Sequence, residues 1–270
     1  MSLLNLNEIE LIIEDNSSTD STKEIINSYK GINIPLIDQN RNLNFAKASN
    51  NKVLKTKGDF IFIANQDIKF PKDFFEIILK EYYSLKNNRE IVLYPLVLFF
   101  NKYINYYNAK IRFLGFSYTP KMNQIIPQEE KSFKTKRASG FSMFLKRDVF
   151  FKLNDFNPYF FRYHEDTDFS LNALRNNLEI YITNKTHLKH QKFQMMLNNF
   201  TCYYFERNSY LLLDKNIKTF RCLIPYTLIL KLMRLFQSIL TKKLKIRLWI
   251  SKFLIQKNKQ LRYMRAYKLN

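Results

Sequence analysis

Glycine is scarce in this chain, four in 270 residues, and it is joined by only seven prolines and two cysteines. So few loosening residues leave little material for linkers, and 25 Phe and 17 Tyr exclude a disordered chain. The length suffices to bury a sizeable core. Cys202 and Cys222 have no metal-ligand spacing and follow no secretory signal, so they read as free thiols in a reducing, cytoplasmic setting.

Acid is also in short supply, with 23 Asp+Glu against 44 Lys+Arg, and none occurs after Asp214. Residues 215–270 hold 15 Lys+Arg. The chain therefore divides into a body, 1–214, and a basic amphipathic helical tail, 215–270, in which Leu228, Leu232, Leu235, Phe236 and Ile239 recur at helical spacing. Lys231 and Arg234 interrupt its apolar runs well short of the ~20 residues of a spanning helix. Such a tail either lies on an anionic membrane surface, peripheral at the inner face of the cell membrane, or packs on the body with a solvated basic face. No nucleic-acid-binding motif accompanies the net charge of +21, which argues against nucleic acid as partner.

What is present is an alternation of strands and helices. "IELII" (9–13) reads as a buried strand, followed by the polar turn "EDNSSTDS" and a helix with capping-box spacing from Ser21 to Glu24. "IPLI" (34–37), a helix over 44–57, and "DFIFIA" (59–64) ending on "NQD" continue the pattern. An amphipathic helix (72–85) and a long apolar strand (90–100) follow; 101–135 is less regular, and "ASGFSMFLKRDVF" gives a strand and a short helix. Alternation of this kind predicts an α/β fold with a mostly parallel sheet flanked by helices. Ligands bind such sheets beyond the carboxyl ends of the strands, here at "EDNSSTD" and "NQD".

Three constellations carry candidate chemistry. Asp15 follows a buried strand, where a carboxylate can meet a nucleobase or ribose or simply satisfy a turn. Asp67 ends another strand, where a carboxylate can hold Mg2+ or Mn2+ against a diphosphate or merely terminate the strand. In "FFRYHEDTDFS" (160–170), Glu165, Asp166 and Asp168 stand before a helix-like segment. They either cap that helix or supply a partly desolvated general base. His190, after the strand-like "EIYIT", reads as a metal ligand or a surface histidine.

The order "IELIIEDNSSTDST", "NLNFAKASNNKVLKTKGDFIFIANQDIKF", "ASGFSMFLKRDVFFKLNDFNPYFFRYHEDTDFSLNAL", "IYITNKTHLKH" resembles the family-2 glycosyltransferases of GT-A fold, especially rhamnosyltransferase-like members, over about residues 3–215. The resemblance implies a nucleotide-binding sheet and a metal-dependent, inverting transfer of sugar from a nucleotide-sugar donor to a glycan or lipid-linked acceptor, in cell-surface polysaccharide synthesis. It assigns Asp15 and Asn16 to the nucleotide, Asp67 and His190 to Mn2+ or Mg2+ on the sugar diphosphate, and Gly140 to close backbone approach. Asp166 becomes the base and Glu165 a residue that binds or orients the acceptor. Departures from the family pattern include Gln66 in "NQD". The family's opening "VSIIIVTYN" strand is expected to be missing before "MSLLNLNEIE", leaving a depleted nucleotide pocket, and Asn154-Asp155 stands where "GG" is usual. The alternative is an inactive GT-A-like glycan- or partner-binding protein.

Overall fold

The computed structural model describes residues 8–29, 34–39, 41–87, 89–99, 103–106, 110–111, 117–118, 124–125, 129–190 and 199–216. Residues 1–7, which precede the first predicted strand, and the tail beyond 216 lie outside the described residues. The chain forms two compact units, Met1–Gln194 and Met195–Asn270.

The first unit opens with β1 (Ile13–Asp15), α1 (Thr22–Ser28) and β2 (Leu36–Asp38), the two strands pairing in parallel as a separate small sheet. The capping box does not form. Ser21 makes no side-chain cap bond; Asp20 Oδ1 accepts from Thr22 N (3.1 Å) and from its hydroxyl (2.5 Å), so the acid one place earlier holds the turn. Next comes α2 (Phe45–Lys55), capped by Asn44, whose Oδ1 accepts from Lys47 N at 2.8 Å. Asn44 has φ 78° and ψ 169°, a region essentially reserved for glycine.

The larger sheet is built from β3 (Phe60–Ala64), β4 (Ile68–Lys69), β5 (Ile91–Phe99), β6 (Tyr103–Tyr106), and, after the short hairpin of β7 (Lys110–Ile111) and β8 (Ser117–Tyr118), β9 (Ser132–Thr135), β10 (Ser142–Lys146) and β11 (Glu179–His190). Its main order is β3-β10-β5-β11-β4, with β6 on β5 and β9 on β11. The α/β class holds, but the pairing is mixed: within this sheet only β5 and β11 run parallel among the described residues. Strands that return through β4, β6, β9 and β10 need no helical crossover, so they enter antiparallel.

Strand β5 is buried throughout, as a central strand covered on both faces must be. Its Pro95 has no N–H to give the ladder. The β5/β11 register breaks at that point, from Thr183 opposite Pro95 to His187 opposite Leu96. Two of the three residues so looped out are used. Asn184 accepts from Lys131 N (2.6 Å) and donates to Glu129 O (2.9 Å), while Lys185 reaches Glu81 Oε2 at 2.6 Å.

Helix α3 (Phe74–Leu85) packs on β5 and β11 through Phe74, Ile78, Glu81 and Tyr82, a stripe at helical spacing. Helix α4 (Arg147–Lys152) lies on β10 and α5 (Glu165–Arg175) on β11. The core is aromatic: Tyr82, Tyr94, Phe74, Phe150, Phe156, Phe160 and Phe169 are all fully buried, each contributing roughly 1.5–3 kcal/mol. Between α4 and a 3-10 turn (Pro158–Phe160), Asn154 and Asp155 adopt φ 59° and 46°. That explains the family's preference for glycine there, and Asn and Asp are the residues that tolerate this region best. The turn is anchored by Asn50 of α2, which donates to Phe156 O (2.7 Å) and accepts from Phe156 N (3.1 Å).

In the second unit, α6 (Asn199–Asn216) is the described element; it carries Arg207 and Asn208 at its centre. Among the described residues no helix is long and apolar enough to cross a membrane.

Candidate active site

Asp15 ends β1, buried, and its carboxylate accepts from Ser18 N (3.1 Å) and from the Ser18 hydroxyl, with Lys23 Nζ at 3.8 Å. The carboxylate is thus engaged within its own turn. Asn16 Oδ1 accepts from Leu43 N at 3.4 Å, tying this turn to the segment that leads into α2. The first residue of α2, Phe45, lies against Gly140: a Cβ added to that glycine would sit 3.1 Å from the ring.

Asp67 leaves β3 and His190 ends β11, and the two meet. His190 pairs with Ile68 across β4/β11, and its Nε2 lies 3.0 Å from Asp67 Oδ2. On the other side of the ring, Asn105 Nδ2 stands 2.9 Å from Nδ1. Phe141 stacks on the imidazole at 5.9 Å and 24°, and Phe99 lies 5.9 Å away on a tilt. The expected strand over 179–183 continues to His190, so this histidine is a sheet residue fixed by register. No group of three or more His, Cys, Asp or Glu side chains fit to hold a metal occurs among the described residues. The 3.0 Å contact is itself of hydrogen-bond length, and the same spacing would suit two cis ligands about 2.1 Å from an octahedral ion.

The third constellation sits in the first turn of α5. Glu165, Asp166 and Asp168 are helical residues, all buried, and His164 in front of them has φ 71° and makes no side-chain cap bond. The acids thus stand inside the first turn of the helix rather than before it, and the Asp166 carboxylate is engaged chiefly by Arg137 and Gly140. Its two oxygens receive Arg137 Nη2 at 2.9 and 2.8 Å; Gly140 N donates to Oδ2 at 3.3 Å and the Thr167 hydroxyl to Oδ1 at 3.2 Å.

Environment then separates two adjacent carboxyls. Burial pushes Asp166 upward, but the Arg137 guanidinium outweighs it and holds the carboxyl below its ordinary value. Glu165, buried and beside that negative charge, is pushed up to about 8, and its Oε2 has no hydrogen-bond partner. Burial, reinforced by Arg137, pushes His164 down to about 4. At neutral pH the turn therefore presents an ionised Asp166 beside a protonated Glu165 and a neutral His164.

Gly140 and Phe141 join the two halves. Gly140 backs onto Asp166, where an added Cβ would come within 3.2 Å of the Asp166 Cβ, and Phe141 stacks on His190. A metal-type pair and a charged carboxylate thus flank one dipeptide. Arg137, Asn105 and Phe141 escape a reading of the sequence. Arg137 lies only three residues before Gly140, but nothing local marks its pairing with a carboxylate 29 residues later.

Residues 2–153, 152 of the 270, match Glycosyl transferase family 2, and the chain belongs to that family. Its fold is similar to that of GalNAc-T7 solved with UDP, GalNAc and Mn2+, with a TM-score of 0.58 and 12% identity over 77% of this chain and 42% of that one. It is also similar to S. aureus TarS 1-349 in complex with UDP, with a TM-score of 0.53 and 14% identity over 78% of this chain and 58% of that one. The longer S. aureus TarS gives a TM-score of 0.51 and 15% identity over 78% of this chain and 35% of that one. The chain thus spans between about a third and three-fifths of these proteins' lengths, and the likeness is one of fold. A comparison by sequence with curated proteins gives no match. Family and fold together define a GT-A glycosyltransferase domain.

Proposed function

We propose that this domain moves a sugar from a nucleotide-sugar donor to a hydroxyl of a glycan or lipid-linked acceptor, with inversion, in the synthesis of a cell-surface polysaccharide. The observation that carries this reading is the placement of Asp166 and the Asp67–His190 pair on either side of Gly140-Phe141. Asp166 accepts the proton of the acceptor hydroxyl as its oxygen attacks the anomeric carbon. The bond to the diphosphate oxygen breaks on the opposite face, which inverts the centre and requires no covalent enzyme intermediate. Protonated Glu165 donates a hydrogen bond that orients an acceptor oxygen. Asp15 and Asn16 face the nucleotide, and Gly140 allows the backbone close approach.

Asp67 and His190 are the residues that would hold Mn2+ or Mg2+. Bound there, the ion would neutralise charge on the diphosphate oxygens. Asn105 orients the imidazole; turning its amide so that the oxygen faces Nδ1 selects the tautomer in which Nε2 has a free lone pair. GalNAc-T7 was solved with UDP and Mn2+ and TarS with UDP, which favours UDP-sugars as the first donors to try.

The test is nucleoside diphosphate release by the purified chain, with Mn2+, from a panel of UDP-, GDP- and dTDP-sugars. One donor class is expected to turn over, with Asp166→Asn losing transfer by roughly 10²–10⁴-fold while donor affinity is kept. An Asn variant with near wild-type turnover would remove Asp166 as the base, and a panel with neither release nor binding would overturn the transferase reading.

We also place the chain on the inner face of the cell membrane, held by its basic tail, whose residues from 217 onward lie outside the described ones. Liposome co-sedimentation that rises with anionic lipid and falls with salt supports this placement. Equal sedimentation of the full chain and a version ending at Asp214 would refute it.

A further inference from the structure

We propose that Arg137 is the positioning residue of the transfer: it clamps the Asp166 carboxylate through both oxygens, so that the base is ionised and aimed before an acceptor arrives. The inference rests on the reading of Asp166 as base and extends it to a residue that no sequence motif marks.

The clamp is built into the backbone around it. Arg137 Nη2 reaches both carboxylate oxygens, at 2.9 and 2.8 Å, and both side chains are largely shielded from solvent, at 15% and 11% exposure. The next residue is stitched to the same helical turn: Ala138 N donates to Ser170 Oγ at 3.0 Å, and Ser170 Oγ donates to Asp166 O at 2.7 Å. Two residues after Ala138, Gly140 N donates to Asp166 Oδ2, and a Cβ there would meet the Asp166 Cβ at 3.2 Å, a close contact. Segment 137–140 therefore grips Asp166 by side chain, by backbone and by shape.

Chemistry explains why such a grip is needed. A carboxylate buried to this degree would otherwise take up a proton and lose its capacity to accept another. The groups facing it are Arg137 from the segment before β10 and His164 and Glu165 at the start of α5, with Arg162 acting on Glu165. Glu165 is protonated and His164 neutral near pH 7, so Arg137 is the charge that keeps Asp166 ionised. Four donor contacts occupy the lone-pair directions of the carboxylate. Those from Thr167 and Gly140, at 3.2 and 3.3 Å, are long for their types, so an acceptor hydroxyl takes over one of those places while Arg137 stays.

The experiment is a 13C-NMR titration of the full chain carrying [γ-13C]aspartate, with the Asp166 signal assigned by its loss in Asp166→Asn. In the parent, Asp166 is expected to titrate below the ordinary aspartate value of 3.8, in Arg137→Gln above it, and in Arg137→Lys between the two. The acidic limb of the pH–rate profile should move up in the same order. An unmoved Asp166 midpoint in both variants overturns the proposal, and if Arg137→Gln does not fold, Arg137→Lys decides alone. The two readings fail separately. Full transfer by Asp166→Asn sinks the base assignment whatever the titration gives, whereas a dead Asp166→Asn with an unmoved midpoint in the Arg137 variants sinks only the clamp.

Discussion

His190 Nε2 stands 3.0 Å from Asp67 Oδ2, although 123 residues separate them in the chain. The looped-out segment opposite Pro95 makes this possible, because it shifts the end of β11 by three residues and brings His190 level with Ile68. A strand pair without it would present a different residue to Asp67.

If these two side chains share one cation, Asp67→Ala and His190→Ala should each weaken Mn2+ binding in the presence of UDP to a similar extent. Asn105→Ala, which leaves the ring without its orienting amide, should cost on the order of ten- to a hundredfold. Electron paramagnetic resonance of free Mn2+ during titration reads all three directly. Unchanged Mn2+ affinity in both ligand variants would dispose of the shared site.

Gly140→Ala is expected to destabilise the domain by about 1–3 kcal/mol, because the new methyl meets the Phe45 ring at 3.1 Å and Asp166 Cβ at 3.2 Å. Asp166 is held by Arg137 and cannot retreat, so the strain falls on the site. Urea unfolding should show the loss, with a further loss of transfer at saturating donor. A variant as stable and as active as the parent would show that the glycine is dispensable.

Asn44→Gly should stabilise the chain. The φ of 78° with ψ of 169° costs an asparagine on the order of 1–3 kcal/mol, whereas exchanging an Asn cap for Gly costs only a few tenths. Glycine also adds entropy to the unfolded chain, which reduces the gain without reversing it. A higher urea midpoint is the expected result, and a lower one would mean that the cap bond to Lys47 outweighs the backbone strain.

Stability should fall as pH rises from about 6.5 to about 8; below that window His164, held near 4 by burial, contributes an opposite slope that offsets the one from Glu165. Glu165 binds its proton more tightly folded than unfolded, with its value pushed from 4.5 to about 8, so the unfolded state loses that proton first and each step up in pH across this window favours unfolding. The Asp166 contribution has the opposite sign and is lost below pH 4, as the carboxyl protonates, so the two effects do not overlap. Glu165→Gln should remove the fall between pH 6.5 and 8 in urea unfolding and leave the rise from His164 below it. A slope equal to the parent's would mean that Glu165 is not the titrating group.

How far the sequence could be read depended on how local each cause was. Helix α3 was legible because its stripe repeats within four residues, and β3 and β5 because apolar runs bounded by polar turns have few alternatives. The Ser21–Glu24 spacing misled, since Ser21 makes no cap bond and the turn is held instead by Asp20, whose carboxylate accepts from the N–H and hydroxyl of Thr22. The start of α5 was placed late, because nothing in "RYHED" announces that Tyr163 and His164 take φ 68° and 71° and so admit the acids to the first turn.

By itself, then, the sequence determined that acids stand at the carboxyl ends of two strands and near the head of a helix, Asp15 closing β1, Asp67 following β3 and Asp166 in α5, although β1 ends two residues beyond the apolar run over 9–13. It also determined that Asn154 and Asp155 could replace glycines, since their short polar side chains permit positive φ. Only the tertiary structure decided which of these groups meet and in what charge state. The Asn50–Phe156 anchor spans 106 residues, the Arg137–Asp166 clamp 29 and the Asp67–His190 pair 123. Their formation depends on sheet register and on the removal of water, and neither leaves a period in the chain. The proton on Glu165 and its absence from Asp166 follow from burial and one guanidinium, so the chemistry of two adjacent acids is settled by what folds against them.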